Sequence, residues 1–551
     1  MNGYRRLKNR KTRGRVTGQI LWLCLGGMLW TLAVQAAAPA AQESDVMSRS
    51  TADHKKFEAL QLVFNSGPEV TLACLSCHTE AAKQIHRSKH WRWEFQNPVT
   101  GQLLGKRRVA NNFCTTVRTN EKGCTACHIG YGYEDENFDF TSEENVDCLV
   151  CHDTTGEYVK LPGYAGHPPY ERVEFPPHSG KFQEAVDLGR IARNVGRTSR
   201  ENCGACHFKG GGGDGVKHGD MDSSLAEPMR YLDVHMDAQG PDFSCSSCHV
   251  TDGHAVAGSR YAPTAADDKG VRIPGGKDGF RATCQSCHGG APHDDGSARH
   301  DKINDHTDKL ACQTCHIPEF ARGGLPTKME WDWSTAGKLD DEGKPFVSTD
   351  SAGWPAYMSK KGNFRWEQSV IPEYRWFNGR VDYVMLGDKI DPDGTTWINR
   401  FEGGPDDPNS RIWPVKIHRG KQPIDAVNNV LTVNHLYGDD DTAYWKNFDW
   451  LKAAGVGMAA ADLPFSGEIG FASTMMVWPI THMVAPSQDA LSCTQCHSDG
   501  GRLKDVEGVY LPGRDGNSAV EFIGKMMALL ALLGVIAHGG LRYVRYRLSR
   551  S

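Results

Sequence analysis

The chain has 551 residues, a formal net charge of −5 and hydrophobic residues at 39% of its positions. That hydrophobic content is low for a chain long enough to form several domains, so an ordinary apolar core is not expected. The small net charge, with no long basic run in the body of the chain, disfavours nucleic acid as a partner.

The N-terminus has the pattern of a secretory signal. Seven Arg and Lys residues between Arg5 and Arg15 precede an apolar stretch from Ile20 to Val34. Small residues at Val34 and Ala36 then match the requirement of signal peptidase. We predict that residues 1–36 are a signal peptide cut after Ala36, with an uncleaved N-terminal anchor as the alternative.

Eight copies of the pentapeptide Cys-x-x-Cys-His follow. They comprise Cys74, Cys77 and His78; Cys124, Cys127 and His128; Cys148, Cys151 and His152; Cys203, Cys206 and His207; Cys245, Cys248 and His249; Cys284, Cys287 and His288; Cys312, Cys315 and His316; and Cys493, Cys496 and His497. The two thiols of each motif can form thioether bonds to a haem, and the His can ligate its iron from one side. A zinc site would need two Cys pairs converging on one metal, without a His after every second Cys. The repeat predicts an octahaem c-type cytochrome with eight covalently attached haem c groups, whose porphyrins can supply the missing apolar core.

The motifs divide the chain unevenly. Seven of them lie in a haem-rich region at 37–316, and the eighth closes a Trp-rich region at 317–514. Ten of the 14 Trp lie within 317–492, where turn signals are frequent and helical periodicity is weak. We predict one haem-stitched body of mainly short α-helices and irregular structure with a few β-strands. We expect no clean boundary inside it.

Fifteen of the 23 His lie outside the motifs, a number adequate for bis-His ligation of most haems. A second ligand must reach the haem face opposite the motif His. A His only a few residues after its own motif can rarely do so, and it more plausibly crosses to a neighbouring haem. The sequence favours the following set of distal ligands: His86, His90, His235, His254, His293, His306 and His482.

Two other side chains are candidates for chemistry at an iron. Cys114 and Cys24 are the two Cys outside the motifs, and Cys24 lies in the N-terminal apolar stretch. Lys217 lies in a glycine-rich loop at 210–220, which can bring backbone close to a flat porphyrin. A lysine amine can ligate iron once deprotonated, and burial favours the neutral amine. From the residues alone, Cys114 as a small buried apolar residue and Lys217 as a surface charge remain open alternatives.

The C-terminus predicts a membrane anchor. Residues 519–541 are mostly apolar and long enough to cross a bilayer. The arginines of the basic tail at 542–551 would place that tail in the cytoplasm and the haem body outside. An interfacial amphipathic helix is the alternative, because Glu521, Lys525 and His538 interrupt the apolar run. His538 is expected near the inner interface, with ligation of a partner's haem as a minor alternative.

Several stretches resemble the octahaem tetrathionate reductase family from about residue 51 to about residue 514. They are ACLSCHTEAAKQIH (73–86), NVDCLVCHDTTG (145–156), NCGACHFKGGGGDGVKHGD (202–220), LACQTCHIPEFARGG (310–324), EYRWFNG (373–379), RIWPVK (411–416) and ITHMVAP (480–486). The resemblance implies that the haem at Cys124, Cys127 and His128 is catalytic. It also implies a distal lysine on that iron and a lone cysteine nearby, for which Lys217 and Cys114 are the matching residues.

Two related families fit less well. Pentahaem nitrite reductases use a Cys-x-x-Cys-Lys motif, which does not occur in this sequence. Hydroxylamine oxidoreductases carry a long helical segment after the last haem, whereas only 54 residues follow His497.

The resemblance implies a periplasmic, inner-membrane-anchored reductase acting on a small inorganic anion or hydroxylamine. Tetrathionate reduced to thiosulfate is the first expectation, with nitrite or hydroxylamine reduced to ammonium as alternatives. A membrane quinol-oxidising cytochrome or a soluble c-type cytochrome would donate electrons. The competing hypothesis is a non-catalytic electron conduit with all eight irons six-coordinate.

Overall fold

The structure is a computed structural model that describes residues 52–263, 283–511 and 514–550. The predicted signal peptide at 1–36 and Cys24 lie outside the described residues. All eight Cys-x-x-Cys-His motifs lie within them.

Most helices of the described residues are short. They are α1 (Gly67–Leu75), α2 (Ala81–Ile85), α3 (Lys89–Arg92), α4 (Glu121–Cys124), α5 (Leu149–His152), α6 (Leu188–Arg193), α7 (Arg200–His207), α8 (Cys245–Cys248), α9 (Cys284–His288), α10 (Ala298–His306), α11 (Cys312–His316), α12 (Tyr444–Asn447), α13 (Trp450–Ala460), α14 (Cys493–Cys496) and α15 (Ser518–Leu548). Short 3-10 helices occupy His54–Lys56, Glu58–Leu60, Thr125–Cys127, Ser223–Leu225, Trp333–Thr335 and Ser487–Asp489. Most motifs form a single helical turn, which places the two Cys, three residues apart, on one face.

The strands concentrate in the Trp-rich region. They are β1 (Phe95–Gln96), β2 (Leu103–Leu104), β3 (Val173–Glu174), β4 (Phe182–Gln183), β5 (Thr251–Asp252), β6 (Ala255–Val256), β7 (Thr327–Asp332), β8 (Val347–Thr349), β9 (Pro355–Met358), β10 (Gly362–Glu367), β11 (Glu373–Phe377), β12 (Val381–Tyr383), β13 (Thr395–Phe401), β14 (Arg411–Asp425), β15 (Val430–Leu431) and β16 (Ile469–Pro479). The first six form three small two-stranded sheets, and the other ten form one sheet.

Strand β14 is the centre of the ten-stranded sheet, whose main order is β12-β13-β16-β14-β7-β10-β9-β8. One edge of β14 pairs with β16 along Val415–Asp425. The other edge pairs in turn with β11, with β7 in parallel, and with β15. The predicted class of short helices, irregular segments and strands is confirmed. The Trp-rich region, expected to be irregular and partly β, holds this continuous sheet.

One face of the sheet carries buried polar side chains. Side chains alternate between faces along a strand, and directly paired residues share a face. The face in question carries Lys416, His418, Gly420 and Gln422 of β14, and Met476, Thr474 and Trp478 of β16. We call it the inner face. The loop at 111–115, which contains Cys114, packs on it: Asn112 Nδ2 donates to His418 O at 3.0 Å, and Gln422 Nε2 donates to Asn111 O at 3.0 Å.

A β-bulge adds one more cation to the inner face. Between β7 and β10, the register passes from Arg365–Glu330 to Trp366–Lys328, so Met329 is an extra residue on β7. A bulge redirects the following side chains, and Lys328 therefore lies on the same face as Trp331. Its Nζ lies 3.7 Å from the ring centroid of Trp331, within cation–π range.

The segment after the eighth motif is fixed against the body before α15 begins. Leu503, Val506 and Leu511 pack in one cluster with Cys496. Arg514 donates to Val506 O at 2.8 Å and pairs with Asp515. Only three residues later, α15 begins.

Helix α15 is exposed along its whole length and is long and apolar enough to cross a membrane. Its 31 residues span about 46 Å, compared with about 30 Å of hydrocarbon. It includes the predicted span at 519–541. The basic segment, predicted as a separate tail, continues the same helix to Leu548.

Candidate haem sites and the second-motif site

Seven of the eight motif His face a second His. The pairs and the distances between their ring centroids are His78–His54 6.4 Å, His152–His254 6.4 Å, His207–His90 6.2 Å, His249–His482 6.3 Å, His288–His235 6.0 Å, His316–His293 6.0 Å and His497–His306 6.1 Å. Two metal–nitrogen bonds of about 2 Å each, plus about 1 Å from each nitrogen to its ring centre, require a separation of about 6 Å. The seven pairs therefore fit bis-His haem ligation.

The hydrogen bonds of these His residues also fit bis-His haem ligation. In several of these His residues, Nδ1 is held by an oxygen, which leaves Nε2 free to face the opposite ring. Examples are His254 Nδ1 with Gln84 Oε1 at 2.7 Å and His152 Nδ1 with Gly196 O at 2.8 Å. His482 Nδ1 lies 3.1 Å from the buried carboxylate of Asp220. Such a bond fixes the tautomer and the orientation of a ligand His.

The structure does not place His86 opposite any motif His. His86 stacks on Trp91, and its Nε2, the nitrogen needed for a metal, lies 3.1 Å from Ser142 O. The position opposite His78 belongs to His54, which precedes the first motif in the chain. The other six favoured His, namely His90, His235, His254, His293, His306 and His482, each lie opposite a motif His.

The second motif differs from the other seven. His128 is completely buried, and its Nε2 donates a hydrogen bond to Trp91 O at 2.7 Å. Aromatic rings surround it, including those of Trp93 and Tyr133 at about 5 Å. Burial lowers the pKa of His128 to about 3, so the ring is neutral. Its metal-binding nitrogen points into this cluster, and no second His ring faces it among the described residues.

Lys217 is the basic side chain that the glycine-rich loop delivers to this site. A Cβ at Gly210 would lie 3.4 Å from Lys217 Cδ, and Gly211 has a φ of +79°, which favours glycine. From the inner face, Lys416 Nζ donates to the backbone carbonyls of Val216 and Lys217 at 3.2 and 3.1 Å. Burial, together with nearby positive charges, lowers the pKa of Lys217 well below its ordinary value. Lys217 is thus a half-buried side chain whose amine readily becomes neutral, not a surface charge.

Cys114 lies beside the same site. Its backbone N–H donates to Asn111 Oδ1 at 3.1 Å within the loop that packs on the inner face. Cys114 is close enough to interact electrostatically with Lys217, Lys328 and Cys124. The structure therefore brings Cys114, Lys217 and the second motif together.

The surroundings of Lys217 are rich in basic side chains. Lys217 Nζ and the Arg260 guanidinium lie 5.1 and 4.9 Å from the ring centroid of Trp478. Burial lowers the pKa of Lys328 and of Lys416 well below their ordinary values. A site with such donors around the permanently charged Arg260 favours a negatively charged or electron-rich ligand.

Contacts between motifs join neighbouring haem sites into groups. The cysteine side chains of different motifs touch in four pairs: Cys74 with Cys148, Cys127 with Cys206, Cys203 with Cys245, and Cys284 with Cys312. Cys315 also lies near Cys496 of the eighth motif. The second motif therefore adjoins the fourth, which in turn adjoins the fifth.

These features define a multihaem c-type cytochrome, and comparisons with known proteins agree. The sequence model of the family "Cytochrome c bacterial" matches residues 328–500, and that of "Cytochrome c554 and c-prime" matches residues 73–153. The crystal structure of octaheme cytochrome c from Shewanella oneidensis is 42% identical to this chain. The match covers 83% of this chain and 96% of that one, with a TM-score of 0.71. The chain belongs to the octahaem cytochrome c family. No curated protein matches the chain.

The predicted cofactors, covalently attached haem c groups, are confirmed by this family membership. Sequence reasoning did not find the role of His54 or of the inner-face residues Lys328 and His418. A long-range pairing has no local sequence signal, and a bulge is visible only once strand register is known.

Proposed function

We propose that the chain is an exported, membrane-anchored oxidoreductase that reduces a small substrate beside Lys217. Seven His pairs would hold six-coordinate irons suited to electron transfer, whereas the second motif lacks such a pair. That contrast, at a site with a buried amine and a free thiol, carries the proposal. Tetrathionate reduced to thiosulfate is the first candidate reaction, and reduction of nitrite or hydroxylamine to ammonium is the alternative.

We infer a role for His128 other than the one that the sequence favours. The sequence favoured His128 on one side of the iron and Lys217 as a displaceable ligand on the other. Because His128 Nε2 is bonded to Trp91 O, Lys217 would be the one protein ligand that holds this haem. A substrate would then not need to displace the lysine. His128 instead contributes to the packing of the aromatic cluster.

Each basic residue around Lys217 then has a distinct task. Lys416 fixes the backbone on both sides of Lys217, which positions the amine. The Arg260 guanidinium supplies positive charge that attracts an anion, and the Lys328 amine supplies a hydrogen-bond donor. Haem c supplies one-electron carriers that deliver electrons to this point.

Steady-state assays with reduced methyl viologen as donor, on the purified holoprotein, test the proposal. Reduction of tetrathionate, nitrite or hydroxylamine supports it, and the relative rates identify the substrate class. An absence of turnover on all three, together with eight low-spin six-coordinate haems, would indicate the conduit instead.

Substitution of Cys114 should affect turnover and not haem content. We expect Cys114→Ser to retain eight haems and to reduce tetrathionate at least about tenfold more slowly, since a hydroxyl cannot exchange with a sulfur–sulfur bond. A pyridine haemochrome assay counts the haems. The matched control is Thr116→Ser in the same loop. Unchanged kinetics on every substrate would leave Cys114 as a packing residue.

His54 and His86 provide a direct test of the first haem. We expect His54→Ala to convert one haem from low-spin to high-spin in the EPR spectrum, because the ring opposite His78 is removed. The matched variant His86→Ala should leave all haem signals in place. The reverse result would restore the ligand set favoured by sequence.

The C-terminal helix should anchor the protein. Deletion of residues 519–551 is expected to release holoprotein with an unchanged spectrum into the soluble periplasmic fraction, because the apolar span is removed. Deletion of residues 542–551 alone should leave the protein in the membrane fraction. Immunoblots of the two fractions distinguish these results. Full-length protein found in the soluble fraction would refute the anchor.

A further inference from the structure

His418 is a titratable residue of the inner face that the proposed function does not use. It lies in the middle of β14, is completely buried, and packs against Phe113 with ring centroids 4.2 Å apart. Neither ring nitrogen has a hydrogen-bond partner among the described residues. A buried polar group without a hydrogen-bond partner lowers the stability of the folded state by about 1–3 kcal/mol. Two such atoms on the His418 ring therefore require an explanation.

The position of His418 connects it to the second-motif site. Phe113, which contacts His418, directly precedes Cys114 in the chain. The Phe113 ring also lies 5.9 Å from the ring of Trp478, over which Lys217 Nζ lies. The rings of Phe113 and Trp478 therefore connect His418 to Lys217, and Cys114 directly follows Phe113.

Other unpaired polar atoms lie beside His418. Asn112 Oδ1 and Thr474 Oγ1 are buried and have no partner within the described part of the chain. They belong to side chains that meet at Gly420, two residues from His418 on the same face. A Cβ at Gly420 would lie 3.0 Å from Thr474 Oγ1 and 3.3 Å from Asn112 Nδ2. Gly420 thus keeps space beside the Thr474 hydroxyl, which can both donate and accept a hydrogen bond.

Burial, aided by nearby basic groups, keeps His418 neutral. Lys416 and Arg419 of its own strand and Lys328 of β7 are its cationic neighbours. Together with burial, which is the larger cause, they lower the pKa of His418 well below its ordinary value. A neutral imidazole has one donor and one acceptor nitrogen, so it can accept a proton at one and release one from the other.

We propose that His418 relays protons to the substrate at the second-motif site, which makes this site suited to the reduction of N–O bonds. The inference rests on the proposed function. Reduction of hydroxylamine breaks its N–O bond and consumes two electrons, delivered by the haems, and three protons. The oxygen leaves as water and the nitrogen as ammonium. His418 supplies the proton taken by the leaving oxygen. Reduction of tetrathionate breaks its central S–S bond with two electrons, releases two thiosulfate ions and needs no proton.

The two substrates therefore separate a proton relay from a structural role. We expect His418→Asn to lower kcat for hydroxylamine by about 100-fold or more, in the range of lost acid–base catalysis. It should leave kcat for tetrathionate within about twofold, because that reaction takes up no proton. Optical titration should show unchanged hydroxylamine binding, and the haem content should remain eight. The matched control is His435→Asn, since His435 bonds Thr119 O and Asp440 through its two nitrogens.

Several outcomes would overturn the inference. Equal losses on both substrates would mean that His418 is structural, and an unchanged rate with hydroxylamine would exclude the relay. Turnover of tetrathionate alone by the unaltered holoprotein would also exclude it, while leaving the proposed reductase intact. If the unaltered holoprotein reduces none of the three compounds, the proposed function fails, and the inference fails with it.

Discussion

Lys217→Ala should abolish most turnover and change one haem of eight. The amine is the one protein ligand that we assign to the second-motif haem, and axial ligation is a principal control of haem reactivity. We expect kcat to fall by at least about 100-fold, the upper range of losses seen when supporting groups of a metal site are removed. EPR spectra should show one altered haem signal and seven unaltered ones.

The pH dependence of the unaltered protein tests the same assignment. Ligation requires the neutral amine, so the ligated form should be lost as the pH falls through the lowered pKa of Lys217 and retained above it. Lys209→Ala is the matched control, because Lys209 is an exposed lysine at the start of the same loop. Lys106 is close enough to Lys217 to lower its pKa. If Lys106→Ala produces the altered EPR signal and Lys217→Ala does not, the ligand has been assigned to the wrong lysine.

Asp147→Ala should cause a large loss of stability. Asp147 and Lys160 form a buried ion pair at 3.0 Å, with side chains 0% and 4% exposed. The same carboxylate accepts from Tyr131 OH at 2.9 Å and Tyr158 OH at 3.0 Å. Removal of one member leaves a buried charge unpaired, which lowers the free energy of unfolding by about 3–5 kcal/mol.

Guanidinium denaturation followed by far-UV circular dichroism measures this effect. Adding Lys160→Met to the Asp147→Ala variant should recover part of the loss, because no unpaired charge then remains. Asp139→Ala, on the surface, should change the midpoint little. A loss of less than about 1 kcal/mol for Asp147→Ala would put the pair in the range of exposed ion pairs.

Sequence was sufficient where the chemistry is local. The eight pentapeptides specify where haem is attached, because thiols and His at fixed spacing are all that attachment requires. Six of the seven favoured distal His also lie opposite a motif His. His54 precedes the first motif and lies outside the favoured set. No local sequence signal connects it to His78, because facing pairs form through the folding of the chain.

The second motif shows another limit of prediction from sequence. Its five residues match the pattern of the other seven, so the sequence offers no reason to treat His128 differently. The difference arises from its neighbours: Trp91 supplies the carbonyl that binds Nε2, and Trp93 packs against the ring. The aromatic-rich stretch at 91–95 is the available signal, yet the same pattern occurs in any well-packed core. Likewise, the position of Lys328 depends on one extra residue in β7.

The short path from the eighth motif to α15 has a consequence for electron delivery. Leu511 packs in the cluster that contains Cys496, and α15 begins at Ser518. In a body held at a bilayer by this helix, the last haem is tethered close to the lipid surface and cannot swing far from it. A donor that diffuses in the plane of the membrane would therefore meet that haem by a two-dimensional search. Freely diffusing carriers would still have access to the first and sixth haem sites, whose cysteines Cys77 and Cys287 are exposed. As a membrane anchor, α15 would thus select among entry points for electrons by geometry, without altering any haem.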